Sequence, residues 1–312
     1  MKRSWLVLGT LTILLTANAC ASDQSLATSN PTATATTTST SSPAPSPTIS
    51  PTPTLSPSPV PSPTGTPSPL PTPESLACLE SGGRIEQGDL RTNLLPLPLS
   101  YRIYLPPCYD ELPGESYPVL YLIHGQNFND DQWDRLGVDE TSDELIAAGE
   151  IPALLIVMPR DRSWSQPTED MFGQVVFEQL LPRIDENYRT IPEREYRAIG
   201  GLSRGAGWAL HIGFSHWESF GAIGMHSLPV FWTDLPDIRA WLAGIPRDQL
   251  PRIYLDLGDK DRPQITKSAV WFEELLTEED IPHEWHLYPG YHEEAYWQEH
   301  VEEYIRWYTQ GW

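Results

Sequence analysis

The chain has 312 residues, with 42 acidic against 20 basic side chains and a formal charge of −22 at pH 7. So acidic a surface repels nucleic acid and anionic membranes, which excludes both as partners of the bare polypeptide. The hydrophobic content of 39 % is enough for a sizeable core, although it is unevenly spread along the chain.

Residues 1–20 read as a secretion signal. Lys2 and Arg3 precede an apolar stretch from Trp5 to Leu15, too short for a convincing membrane-spanning helix. Thr16-Ala17-Asn18-Ala19-Cys20 resembles a bacterial lipoprotein box, which makes Cys20 the lipidation site; cleavage near Ala19 or Ala21 is the alternative. The expected location is therefore extracytoplasmic, on the cell envelope through that lipid or else secreted. Residues 21–78 form a Pro/Thr/Ser-rich linker. Fourteen of the 32 prolines fall between Thr28 and Pro73, and no charged residue occurs between Asp23 and Glu74. Such a segment has too little apolar surface to offset its chain entropy, so it is expected to be disordered. Proline stiffens it into a spacer reaching roughly 100 Å, at ~3.1 Å per residue.

Residues 79–312 suit one α/β domain. Cys78 and Cys108 are an even pair in an exported protein, which predicts a disulfide; two unpaired buried thiols are the bland alternative. Ser100 to Leu105 alternates like an edge strand. Pro118 to His124 is a continuous apolar run, as a buried parallel strand reads, and it ends at Gly125. A helix is predicted from Asp139 to Gly149, a strand from Ala153 to Pro159 and a long amphipathic helix from Met171 to Tyr188. The strand-like run Tyr196 to Gly200 leads into Gly201-Leu202-Ser203-Arg204-Gly205, and Ala206 to His211 reads as a helix. Gly221 to Met225 and Arg252 to Leu257 are further strands. Lys267 to Glu279 is helical, Glu284 to Tyr288 is the last strand, and Trp297, Val301, Tyr304, Ile305 and Tyr308 share one face of the final helix. This alternation implies a mostly parallel sheet with helices on both faces, where ligands gather at the C-terminal strand ends.

The G-x-S-x-G pentapeptide between a strand and a helix is what a nucleophile elbow requires. A serine hydroxyl needs a base within hydrogen-bond reach, and Pro289-Gly290-Tyr291-His292 places His292 just after the last strand. An acid must orient that imidazole. Asp259 and Asp261 both follow the Arg252–Leu257 strand, with Asp261 better placed to turn back; Asp256 is more remote. Backbone donors for an oxyanion are expected from Arg204, directly after the serine, and from Gln126 in the Gly125-Gln126-Asn127 loop.

Tyr117 to Gly125, Ile199 to Ala206, Gly258 to Asp261 and Gly290 to His292 together make the chain resemble the putative esterase family, the α/β-hydrolase branch with esterase D, feruloyl esterases and the antigen 85 mycolyltransferases. The resemblance spans roughly residues 100–308. It implies an α/β-hydrolase fold, matches Ser203, Asp261 and His292 to the family triad, and matches Gln126 and Arg204 to its oxyanion positions. The expected activity is a serine carboxylester hydrolase working through an acyl-enzyme. Because neutral imidazole is required, its activity should rise as pH passes through roughly 6–7. An acyltransferase on envelope sugars or lipids is the rival chemistry, and a non-catalytic tethered binding protein the rival class. Trp133, Trp164 and Trp232 lie after strand ends and are candidates for lining an acyl or sugar pocket. No cofactor is called for. Metal binding is not expected, because His283-Glu284-Trp285-His286 lacks the one-turn spacing of paired zinc ligands. The Asp256, Asp259 and Asp261 cluster is more simply a catalytic acid with solvated neighbours than a calcium site. The substrate is a small-molecule or polymer-linked ester, and oligomeric state is not readable.

Overall fold

The computed structural model describes residues 77–312. The signal reading at 1–20, lipidation at Cys20 and the linker as far as residue 76 lie outside the described residues. Eight strands make one sheet: β1 (Arg84–Leu90), β2 (Leu99–Leu105), β3 (Val119–Ile123), β4 (Leu155–Pro159), β5 (Arg197–Leu202), β6 (Ala222–His226), β7 (Arg252–Gly258) and β8 (Glu284–Tyr288). Their order is β1-β2-β4-β3-β5-β6-β7-β8. Only the β1–β2 and β2–β4 pairs are antiparallel; the remaining five pairs are parallel. The helices are α1 (Gln132–Arg135), α2 (Val138–Ala147), α3 (Phe172–Val175), α4 (Leu181–Asn187), α5 (Arg204–Ser215), α6 (Ile238–Gly244), α7 (Pro263–Glu278) and α8 (Glu294–Tyr308). This is an α/β-hydrolase fold.

The continuous apolar runs are explained by burial on both faces. Along β3, Val119, Tyr121 and Ile123 enter a core shared with α5 and α7, while Leu120 and Leu122 enter one shared with α2 and α8. Strand β4 divides in the same way, with Leu155 and Val157 on one side and Ile156 and Met158 on the other. Two-sided covering removes the polar/apolar alternation that a half-exposed strand would show.

The expected edge strand is not at the edge. Strand β1 pairs outside β2 along its whole length, from Arg84 opposite Leu105 to Leu90 opposite Leu99. Its sequence, Arg-Ile-Glu-Gln-Gly-Asp-Leu, is mostly polar and only Leu90 is buried, so it carries no apolar run to betray it. The helix expected from Met171 to Tyr188 contains a wide turn at Val176–Leu180 between α3 and α4. There the Leu181 N–H bonds the Val176 carbonyl five residues back, and Pro182 follows with no N–H to give. Helix α7 starts at Pro263, four residues before the predicted Lys267, because proline suits the first helical position. Helices α1 and α6 are too short to show a period. Gly149 follows the α2 cap at φ +70°, the left-handed conformation of a helix stop.

The fold begins earlier than residue 79. Ala77–Ser81 form a short 3-10 turn, and Cys78 is joined to Cys108 by a disulfide across 30 residues. This ties the start of the domain to the loop that follows β2. Closing a loop of that length is worth about 3–4 kcal/mol through the unfolded chain. The paired Cys78→Ser/Cys108→Ser variant is therefore expected to lose that stability in chemical denaturation, with a transition slope no shallower than that of the wild type, because the uncrosslinked chain unfolds to a more expanded state. An unchanged midpoint would show that the bridge contributes nothing.

Candidate active site

Because β3 to β8 run parallel, the loops leaving β3, β4, β5, β7 and β8 meet along one edge of the sheet. The site is assembled from those five loops. At its centre, β5 ends at Leu202 and α5 starts at Arg204, leaving Ser203 alone to make the reversal. Ser203 sits at φ 51° and ψ −126°, a conformation that costs a non-glycine residue about 1–3 kcal/mol. Its N–H is held by the His226 carbonyl at 2.8 Å. The flanking glycines are dictated by space. A Cβ on Gly205 would stand 2.0 Å from the Ile123 carbonyl oxygen, and one on Gly201 would stand 2.4 Å from the Gly205 backbone. The elbow therefore lies directly on the end of β3.

Across from it, His292 Nε2 is 2.8 Å from Ser203 Oγ. His292 Nδ1 is 2.7 Å from Asp261 Oδ1. That second contact is close but poorly aligned: Oδ1 also accepts the Arg262 N–H at 2.5 Å, and Oδ2 has no partner. The two groups are in reach of one another without a well-aligned hydrogen bond, and contacts of this kind often tighten when substrate docks. Asp261 is buried. Asp259 is exposed and accepts the Gly290 N–H at 2.9 Å, so it braces the histidine loop rather than meeting the imidazole. Further bonds from Asp259 N to Tyr288 O and from Lys260 N to Gly290 O join the two loops. Gly258 has no Cβ because one would meet the Gly290 carbonyl at 2.6 Å.

The loop after β3 carries Gln126 and is fixed by side chains from α1. Gln132 accepts the Gly125 N–H at 2.8 Å and donates to Glu294 at 3.2 Å, linking this loop to the start of α8. Trp133 Nε1 donates to the Ile123 carbonyl at 3.1 Å. Among the described residues, neither the Gln126 nor the Arg204 N–H is spent on a turn or loop carbonyl.

The structure corrects the reading of Trp133, whose 1 % exposure places it inside the α2/α8 core, where no substrate reaches it. Trp164 and Trp232 are the reverse, at 70 % and 64 % exposure. Trp164 borders a cavity of about 410 Å³ together with Gln126 and Arg204.

The family profile described as "Putative esterase" matches residues 93–308, well over half of the chain. The chain belongs to the putative esterase family. Among its relatives, an endo-1,4-beta-xylanase/feruloyl esterase of Xylanibacter ruminicola is 30 % identical over 201 residues, covering 58 % of this chain and 26 % of that protein. Esterase Rv1288 of Mycobacterium tuberculosis is 29 % identical over 231 residues, covering 57 % and 49 %. The chain thus spans half or less of the length of these curated relatives. Among solved structures, a ferulic acid esterase superposes with a TM-score of 0.65 at 23 % identity, covering 73 % of this chain and 98 % of that one. A ferulic acid esterase from Anaeromyces mucronatus, solved with ferulic acid, gives 0.59 at 21 % identity, covering 72 % and 90 %. At such identities these structures speak for the fold alone.

Three supports of this esterase-family site were not visible in the sequence. His226, at the end of β6, bonds Asp256 through Nδ1 at 2.5 Å and Tyr308 through Nε2 at 3.0 Å. Asp256 also accepts from Tyr296 at 2.5 Å and Tyr304 at 2.8 Å. Asp256 is thus saturated by three partners and faces away from His292's role. Tyr308 reaches His226 only because Gly200 and Gly224 are bare; a Cβ on either would overlap its hydroxyl, at 1.8 Å and 1.9 Å. The paired strand glycines were the available signal. The second support is Asp161, buried after β4, which holds Arg204 Nε at 2.6 Å and Trp208 Nε1 at 2.8 Å.

The third is His124. Its Nε2 accepts the Asp161 N–H at 3.0 Å, so its Nδ1 carries the proton and donates to the Gly125 carbonyl at 2.8 Å. Burial holds this imidazole below its ordinary range. The unfolded chain takes up a proton that the folded one refuses, so stability is present above about pH 6.5 and is lost as pH falls below it. We expect the melting temperature of the wild type to drop more steeply between pH 7.5 and 5 than that of His124→Gln; parallel slopes would remove His124 from the acid response. Gly205→Ala should destabilise by about 2–3 kcal/mol, since its methyl group meets backbone that cannot yield. Retention of wild-type stability in denaturant would contradict the contact at Ile123.

Proposed function

We propose that this chain is an extracytoplasmic serine carboxylester hydrolase that works through an acyl-enzyme. The observation that carries the reading is the hydrogen bond between Ser203 Oγ and His292 Nε2 at 2.8 Å, with Asp261 Oδ1 standing 2.7 Å from the Nδ1 of the same ring. Nucleophile, base and orienting acid stand in the sequence a serine hydrolase uses. The family membership and the esterase names of the relatives support the same chemistry.

In this mechanism Ser203 Oγ attacks the ester carbonyl carbon while its proton passes to His292 Nε2. The Asp261 carboxylate stabilises the resulting imidazolium. The carbonyl oxygen, now negative, takes hydrogen bonds from the Arg204 and Gln126 N–H groups, Arg204's being at the N-terminus of α5. The carbon–oxygen bond to the alcohol then breaks, and His292 returns the proton to the departing oxygen. A water molecule, deprotonated by His292, then attacks the acyl carbon; the carbon–Oγ bond breaks and His292 gives the proton to Ser203 Oγ, releasing the acid.

The substrate we propose is an ester carried on a polymer or small molecule outside the cell, within reach of a domain tethered through Cys20. The relatives' names include feruloyl esterase, and the exposed rings of Trp164 and Trp232 suit stacking on an aromatic acyl group or a sugar.

A fluorophosphonate probe should label the wild type and fail to label Ser203→Ala. Hydrolysis of an aryl ester should fall at least about a thousandfold in Ser203→Ala and His292→Ala, and on the order of 10³–10⁴ in Asp261→Asn. Asp259→Asn should lose less than about tenfold, since its carboxylate serves the loop. A folded wild type that neither labels nor turns over esters would defeat the hydrolase reading, and equal losses at the two aspartates would defeat the assignment of the acid.

A further inference from the structure

The cavity that touches Gln126 and Arg204 has a charge opposite to that of the protein. Arg160, Arg162 and Arg204 all line its roughly 410 Å³, and Asp161 is its one carboxylate. Asp161 is already committed, since its Oδ2 bonds both Arg204 Nε and Trp208 Nε1. His124, the other titratable group on the wall, is held neutral by its hydrogen bonds. Three guanidiniums against one carboxylate leave a surplus of two positive charges, in a chain whose formal charge is −22.

The surplus is only loosely paired nearby. Arg162 is bonded to the Ser100 hydroxyl at 2.8 Å and, among the described residues, has no carboxylate within 4.0 Å. Arg160 comes no nearer than 3.9 Å to Asp130, which lies in the adjoining cleft and is shared with Arg102 at 3.6 Å. Arg204 is anchored by Asp161 and by the Ser165 carbonyl, and it holds the segment between them over the elbow. Guanidinium groups that are incompletely paired, gathered around one anchored arginine, can recognise carboxylate or phosphate.

We propose that this cavity is an anion subsite, and that the preferred ester carries a negative charge close to the bond being cleaved. The inference rests on the hydrolase reading above and narrows its substrate class to acidic esters. The anion could stand on the acyl side or on the alcohol side, since both halves of an ester pass close to the oxyanion donors.

Two matched pairs separate these sources. The first is 4-nitrophenyl hemisuccinate against 4-nitrophenyl butyrate, and the second is 4-acetoxybenzoate against its methyl ester. We expect kcat/KM to favour the anionic member of at least one pair by about fivefold or more at low salt. The preference should shrink in 0.5 M NaCl, where the Debye length falls to a few ångströms. It should vanish in the Arg160→Gln/Arg162→Gln double variant, while that variant keeps the wild-type rate on the butyrate ester and its melting temperature. Neutral esters turned over with no anionic preference in either pair, or a preference that survives the double variant, would overturn the proposal. Absence of both turnover and fluorophosphonate labelling would instead count against the hydrolase reading itself.

Discussion

The site depends on a backbone contact: the turn at Ser203 lies directly on the end of β3. Gly201 and Gly205 permit an approach that any Cβ would block, at the Ile123 carbonyl and within the turn itself. The strained conformation of Ser203 is sustained by what surrounds it. Its N–H is fixed to β6, and nearly all of α5 behind it is buried. A hydroxyl held in this way has little freedom to leave the position in which His292 meets it. Strain of this kind persists only where the neighbouring structure over-determines it.

Behind the elbow the sheet contains a polar core that is almost fully satisfied. Asp256 lies in the middle of β7 with no exposure, and it is surrounded by His226, Tyr296 and Tyr304. An isolated buried carboxylate would be costly, whereas one with three donors rigidifies its surroundings. Tyr296 also packs on Gly290, two residues before His292. Trp297 stacks edge-on to the His292 ring at 5.0 Å and donates to Ser227 at 3.3 Å. The same network therefore touches the strand that fixes the serine and the loop that carries the histidine.

Charge is distributed unevenly around this framework. The chain is strongly acidic, yet the wall of the cavity that Gln126 and Arg204 border is basic. Burying the Arg204–Asp161 pair, whose side chains are 8 % and 2 % exposed, gives the segment after β4 a fixed place over the elbow. An ion pair so deep is a weak source of net stability and a strong determinant of geometry. Its cost is consistent with a role in shaping the site.

Much of this was legible in the sequence because the signals were local. The two-faced strands announced themselves as unbroken apolar runs, the elbow as glycines around a serine at a strand-to-helix junction, and α8 as an apolar stripe at helical spacing. Strand β1 was not legible, because an exposed edge strand needs no apolar residues; nor was the wide turn before Pro182. The sequence left Asp259 and Asp261 as alternatives, since both follow the same strand. Only the approach of the β7 and β8 loops decided which of them faces His292. Trp133 read as a pocket residue because it follows a strand end, but α1 turns it inward onto Ile123. His226, Asp256 and Tyr308 are separated by 30 to 82 residues, and no local pattern joins them. Periodicity and turn chemistry are properties of neighbouring residues, so the chain alone determined its apolar strands, its longer helices and the bend at Ser203. Partnership between distant side chains depends on where the packed sheet brings them, so the tertiary structure alone decided it.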